Sequence, residues 1–441
     1  MVRGVSVRIR SVLDANSPAT GTLVCGVLLV VALILLAATY LGGHLLTGAR
    51  SYSDESLYVY FARNIVHGKY AVASQQTDGK YLWHGPGLPL VLAPFAALNL
   101  SVHVMRIVGP TSLVLAGIMM WRLLTRWVSP RLAVLGGALL SLFLPFLRLL
   151  PQLYSEPLEL MFLVATILAL TKAYESGQLR WAVVSGLCAG GVVLTRVDEG
   201  WVLIIFTVGV LLFAAWKRSR KQIPAVVCVV VACVVCAPWL AHTYSLAHQF
   251  PYWASSGGES LYWMASTTPG NTGSWTSTTQ ALTDPNFAPD RPLFERIAHL
   301  PQVERASRLQ SAAVRLIRQY PLNFLKHVVE NFTRMVFGAP YSFQSSAARL
   351  VAYGVPDVAL LLLLGWAIFW LRRRFTRLPF SVKALLVVGA VSLVVHLPVS
   401  AYTRMNTPMI PGIIAVIALG ADGWLRTPQP SAPIVRRSAR P

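Results

Sequence analysis

Gly87-Leu88-Pro89-Leu90-Val91-Leu92-Ala93-Pro94-Phe95-Ala96-Ala97-Leu98 is the stretch whose reading decides how this chain folds. A helix needs about 20 apolar residues to cross a bilayer. This run offers about a dozen, interrupted by Pro89 and Pro94. It therefore reads as a helix lying in the membrane interface and not as a span. The choice matters because a crossing here would move every later loop to the other side of the membrane.

On either side of it the chain is mostly membrane. Of its 441 residues 55% are hydrophobic and 12% charged. That is far more apolar content than one water-soluble core needs, so the chain reads as an all-α polytopic membrane protein. Its net charge of +21 would suggest a nucleic-acid binder in a soluble protein. Here the basic residues cluster at the ends of apolar runs, which points to a lipid bilayer and to no nucleic-acid partner. The five cysteines (Cys25, Cys188, Cys228, Cys233, Cys236) fall inside apolar runs, where they behave as small hydrophobes and not as a disulfide or zinc framework.

Ten segments qualify as spans: 22–43, 103–124, 132–150, 157–174, 181–195, 200–216, 223–241, 355–371, 381–400 and 405–425. Segment 181–195 is short and glycine-rich, the weakest of the set. The first run follows Arg3, Arg8 and Arg10 and exceeds the apolar core of a signal peptide, so it reads as a retained span. Charge placement tests the parsing, because short cytoplasmic loops are rich in Lys and Arg. With the N-terminus inside, the inner segments hold 21 of 38 basic residues and only Asp14, Glu175 and Asp422 of 17 acidic ones. Both termini are then cytoplasmic, in a bacterial inner (plasma) membrane.

The expected organisation is a transmembrane module over 1–241 with a large outer loop at 44–102, and an extracytoplasmic, mostly helical cap over 242–354. C-terminal spans over 355–426 and a disordered tail over 427–441 complete it. Helical spacing is visible in 303–320 and 323–337.

Ionisable groups near hydrocarbon are costly unless paired or solvated, so those at span ends are functional candidates. On the outer side these are Asp54 and Glu55, Lys80 and His84, Arg148, Glu156 and Glu159, Arg196 with Asp198 and Glu199, and Arg404. They come from several places in sequence but share one membrane face. The set suits a hydroxyl displacing a phosphate from a sugar carbon. A carboxylate takes the hydroxyl proton, and Arg or Lys neutralises charge growing on the leaving phosphate. A divalent metal ion is compatible with the second task, held by carboxylates and His84.

At this point the chain resembles a known family. Tyr52-Ser53-Asp54-Glu55-Ser56-Leu57-Tyr58, then His84-Gly85-Pro86-Gly87-Leu88-Pro89, resembles the first outer loop of bacterial family-39-like transferases of the GT-C superfamily. Protein mannosyltransferases and the lipid A aminoarabinose transferase are relatives. Tyr154-Ser155-Glu156-Pro157 resembles their second acidic motif, and Leu194-Thr195-Arg196 their Thr-Lys or Thr-Arg pair. Pro238-Trp239, Gly257-Gly258 and Pro269-Gly270-Asn271-Thr272-Gly273 resemble the start of their large outer loop, and Tyr402-Thr403-Arg404 their last outer turn.

The resemblance implies a GT-C-like bundle of about ten transmembrane helices, with interfacial helices in the first outer loop. It implies an inverting glycosyltransferase that moves a sugar from a polyprenyl-phosphate-linked donor to a hydroxyl of a glycan, glycolipid or protein at the outer face. By position Asp54 is the base, Glu55 orients it or helps hold a metal, and Glu156 is the second carboxylate. Lys80, His84, Arg196 and Arg404 face the lipid phosphate. Where some relatives carry an acidic-basic pair before the proline, this chain has His84-Gly85, which bears on any metal.

Structural alternatives stand beside each residue. Asp54 and Glu156 can serve as helix starts, Arg196 and Arg404 as snorkelling anchors, and Arg148 and Glu159 as a structural pair or unrelated groups. Trp253, Tyr262, Trp263 and Trp275 can line a sugar site or simply mark the interface. Asn331-Phe332-Thr333 has the form of a glycosylation acceptor. A membrane ligase or polymerase of lipid-linked polysaccharide is chemically close but has different motifs, and the competing function from another class is a polytopic transporter or lipid-linked sugar flippase. That reading predicts repeated halves and charge near the bilayer midplane, and neither is visible.

Overall fold

The computed structural model describes residues 18–41, 54–70, 82–343, 350–372 and 378–426. Arg3, Arg8, Arg10, Lys80 and the tail expected over 427–441 lie outside them. The described residues are helical, with no strand. In chain order the principal helices are α1 (Pro18–Tyr40), α2 (Asp54–Val66), α3 (Gly87–Ala97), α4 (Val108–Leu124), α5 (Pro130–Ser141), α6 (Glu156–Ser176), α7 (Leu179–Thr195) and α8 (Gly200–Lys217). They continue with α9 (Ile223–Ala247), α10 (Ser256–Ala265), α11 (Gln302–Gln319), α12 (Pro321–Phe337), α13 (Val355–Leu371), α14 (Phe380–His396) and α15 (Ile410–Arg426).

Six helical stretches are long and apolar enough to cross a membrane: Val102–Leu124, Glu156–Ser176, Val197–Lys217, Arg220–Ala247, Leu350–Leu371 and Thr403–Leu425. Shorter apolar helices, Val24–Tyr40, Pro130–Ser141, Leu179–Thr195 and Phe380–His396, lie where the other four spans were expected. The protein is a multi-pass membrane protein, and among the described residues six stretches, not ten, combine the length and apolarity of a span.

Local signals explain where these helices begin and end. Pro157 sits in the first turn of α6, where its missing N–H costs nothing, and α6 stops at Gly177 with φ 68°. The glycine-rich α7 is short of apolar bulk because it is packed tightly. A Cβ on Gly186 would lie 2.6 Å from Val231 Cβ, and one on Gly190 would lie 2.5 Å from Val235 Cγ1, both on α9. Small residues one turn apart let two backbones approach, which is how helices associate without a hydrophobic driving force.

The eleven residues of α3 rise about 16 Å, half the hydrocarbon thickness, so α3 cannot cross alone. Its stripe Leu88, Leu92 and Ala96 is buried against Tyr58, Val59 and Ala62 of α2. The helix expected at the interface thus spends its apolar face largely on protein. A larger core joins α1, α4 to α6 and α13 to α15 through Leu35, Leu113, Leu160, Leu385 and Ile414.

Between α9 and α13 a helical segment has its own aromatic core. Trp263 stacks on Phe294 with centroids 5.3 Å apart, and the buried Asp290 accepts hydrogen bonds from Tyr262 (2.7 Å) and Thr268 (2.7 Å). Arg334 of α12 fastens this segment to the turn before α15. It donates to the carbonyls of Gly273 (3.1 Å) and Ala401 (2.9 Å) and to Asn331 Oδ1 (2.7 Å).

Candidate active site

Helix ends build the site. Asp54 opens α2 and Glu156 opens α6, positions where the partial positive charge of a helix N-terminus favours a carboxylate. Arg196 follows the last residue of α7, and Arg404 lies in the 3-10 turn Thr403–Met409 that leads into α15. These four residues and His84 line one cavity of about 800 Å³.

Arg404 joins the two carboxylates. Its Nη1 donates to Asp54 Oδ2 at 2.9 Å, and its Nε lies 3.4 Å from Glu156 Oε1. Arg196 Nη1 donates to the same Glu156 oxygen at 2.6 Å, while its Nε lies 3.7 Å from Glu159 Oε2 and its Nη2 3.8 Å from Asp198 Oδ2. His84 Nε2 stands 3.5 Å from Asp54 Oδ1, with its ring edge-on to Tyr58. Burial works against the Asp54 charge, yet Arg404 and His84 outweigh it and hold the carboxyl well below the usual carboxylate range. Asp54 is therefore ionised at neutral pH. The second oxygen of Glu156 is buried with no hydrogen-bond partner among the described residues.

The His84-Gly85-Pro86-Gly87 turn owes its glycines to this assembly. A Cβ on Gly85 would collide with the Leu194 carbonyl, and one on Gly87 would lie 2.5 Å from Thr195 N. The turn thus rests directly on the end of α7 that carries Arg196, bringing His84 and Arg196 into one wall.

Asp198 also lines the cavity, and the other described candidates fall elsewhere. Glu55 points away from the cavity. Its oxygens take Arg106 Nε (2.8 Å) and Nη2 (2.7 Å) and the Leu153 N–H (2.9 Å). Arg148 and Glu159 are not a pair, since Arg148 lies over the Tyr353 ring at 4.8 Å. Glu199 is buried and accepts from Ser392 Oγ at 2.6 Å. Of the four named aromatics, Trp275 lines the cavity, edge-on to Trp83 at 5.8 Å, while Trp253, Tyr262 and Trp263 belong to packed cores. Asn331 is fully buried and its side chain is consumed by backbone groups of residues 396–401, so it cannot be a glycosylation acceptor in the folded chain.

Sequence reasoning missed His396, and it quoted Tyr154 and Tyr402 within motifs without giving them a role. The buried His396 lines the cavity, with Nδ1 2.8 Å from the Ser392 carbonyl and Nε2 unpartnered among the described residues. The signal that picked out Arg404, an ionisable residue ending an apolar run, applies equally to it. Tyr154 and Tyr402 flank the Arg404 guanidinium at 5.0 and 5.8 Å. As for a metal, no three His, Cys, Asp or Glu side chains among the described residues gather as a ligand set. The cavity carboxylates Asp54, Glu156 and Asp198 each face an arginine.

Residues 83–242 match the family described as dolichyl-phosphate-mannose-protein mannosyltransferase. That region includes His84, Glu156 and Arg196 but not Asp54 or Arg404. No curated protein matches the chain. Among solved structures it is similar to the oligosaccharyltransferase AglB from Archaeoglobus fulgidus in complex with an inhibitory peptide and a dolichol-phosphate, at 16% identity and TM-score 0.52. The match covers 92% of this chain and 50% of that one. The apo form of the Archaeoglobus fulgidus oligosaccharyltransferase gives 16% identity and TM-score 0.51, over 90% and 50%. ArnT from Cupriavidus metallidurans bound to undecaprenyl phosphate gives 16% identity and TM-score 0.39, over 92% and 78%. The chain spans about half the length of the oligosaccharyltransferase it matches. Its fold is that of the Archaeoglobus fulgidus oligosaccharyltransferase, and its residues 83–242 carry the mannosyltransferase family match.

Proposed function

We propose that the protein is an inverting transferase that takes a sugar from a polyprenyl-phosphate donor and passes it to an acceptor hydroxyl at the extracytoplasmic face. The observation that carries this reading is Arg404, which links Asp54 and Glu156, about a hundred residues apart in sequence, at the wall of one cavity. The acceptor hydroxyl gives its proton to Asp54 as its oxygen attacks the anomeric carbon from the face opposite the phosphate. The bond from carbon to phosphate oxygen breaks, its electron pair leaves with the phosphate, and Arg404 and Arg196 meet that charge. Glu156 holds both arginines through one oxygen and offers the other to a sugar or acceptor hydroxyl. Trp83 and Trp275 supply apolar faces on which a sugar ring can rest. His84 positions Asp54, and Lys80 remains a candidate for the donor phosphate. The family match and the fold support lipid-linked transfer. The remaining detail is this reading.

The test is sugar transfer by the purified protein in nanodiscs with a panel of polyprenyl-phosphate sugars, with and without chelator. Wild type should release polyprenyl phosphate, and Asp54→Asn should lose roughly 10²–10⁴ of the rate. Loss of turnover with chelator would bring a metal into the mechanism. No turnover with any donor, while labelled lipid crosses the membrane equally well in wild type and variant, would replace this reading with the flippase.

A further inference from the structure

A second polar cleft lies at the opposite end of the helix bundle. Arg122, Thr125, Arg126, Leu168 and Lys172 line a cavity of about 640 Å³ between the last turns of α4 and α6. Glu156 and Lys172 belong to the same helix and are separated by about 24 Å along its axis. The cleft is thus most of a bilayer thickness away from the sugar-transfer site and shares no residue with it.

Its charges are unevenly answered. Arg126 is held by the half-exposed Glu175, Nε to Oε1 at 3.0 Å. Arg122 and Lys172 have no carboxylate within ion-pair distance among the described residues. Each instead rests on a tryptophan, the Arg122 guanidinium 5.0 Å from the Trp121 ring and the Lys172 ammonium 4.4 Å from the Trp181 ring. A ring face orients a cation without neutralising it. Three cations against one carboxylate leave the cleft an excess of two positive charges, with Leu168 as its apolar floor.

We propose that this cleft binds the phosphate of an anionic phospholipid, with its acyl chains running along the apolar flanks of α4 and α6. Three features favour a lipid. The cations sit at the ends of spans, tryptophans flank them at the level where such rings mark the membrane surface, and basic pockets between helices at that level suit lipid head groups. A general excess of basic residues at this end would attract anionic lipid without any cleft. Arg220 and Lys221 provide the comparison. They are exposed, lie beyond the far end of α8 from Arg196, and do not line this cleft.

The experiment is native mass spectrometry of the full-length protein with phosphatidylglycerol or phosphatidylcholine, counting retained lipid. Wild type should retain phosphatidylglycerol in preference. Arg122→Gln/Lys172→Gln should bind it roughly thirtyfold more weakly, at about a factor of five per cation, while Arg220→Gln/Lys221→Gln, of equal net charge, should bind as wild type. Should the first pair fail to fold, Lys172→Met keeps the stem against Trp181 and should still lose about fivefold. Equal retention by the two double variants, no preference for phosphatidylglycerol, or displacement of the lipid by soluble glycerol phosphate would each overturn the assignment.

Discussion

Asp54 keeps its charge because Arg404 and His84 face it, and a buried carboxyl without such partners behaves in the opposite way. Glu259 on α10 is 4% exposed, with one oxygen unpartnered among the described residues. Burial pushes its carboxyl up to about 7, against the opposing pull of Arg305 and a hydrogen bond from Thr278. An ordinary glutamate titrates at 4.5. Between that value and about 7 the unfolded chain gives up a proton that the folded chain retains, so stability falls as pH rises through this window. Glu259→Gln should flatten the slope. The difference between thermal melts in detergent at about pH 5 and about pH 8 should be smaller for the variant than for wild type, by on the order of 3 kcal/mol. A pH dependence unchanged by the substitution would assign the titration elsewhere.

At the scale of elements, α2 is held by more than its apolar face. Glu55 ties it through Arg106 to the start of α4 and through the Leu153 N–H to the segment before α6. This clamp holds the start of α2 beside the neighbouring Asp54, and on the proposed reading Glu55 positions that residue. Hydrogen bonds to charged groups are worth roughly 1.5–3 kcal/mol when half-buried and well aligned. Glu55→Gln and Arg106→Gln should each lower the melting temperature, and the double variant should lose less than the sum of the two. Folded Glu55→Gln protein should retain measurable sugar transfer. A loss as complete as that of Asp54→Asn, with an unchanged melting temperature, would place Glu55 in the chemistry itself.

For the whole molecule, the outstanding expectation is sidedness. The basic loops and the acidic site lie at opposite ends of the spans, and the charge rule puts the site outside. In a background without the five cysteines, Ala288→Cys should react with a membrane-impermeant maleimide on intact cells, and Arg180→Cys only after permeabilisation. The reverse pattern would invert the topology. Hydropathy and charge were enough to expect a helical membrane chain and to put Asp54, Glu156, Arg196 and Arg404 on one membrane face, because apolar run length and the basic excess of one side are local properties of the chain. Order along the chain also exposed the GT-C likeness. Other features depend on which helices touch. Glu55 and Asp54 are adjacent in sequence, but only the packing of α2 against Arg106 turns one away from the cavity and the other into it. Asn331 matches a surface motif and is buried because α12 docks on the 396–401 turn. His396 and the Arg122–Lys172 cleft each require two distant helices to meet. The sequence by itself determined a polytopic helical membrane protein with its ionisable groups at span ends. Tertiary structure decided which of those groups share a cavity, since a helix face acquires its partners only when it is packed.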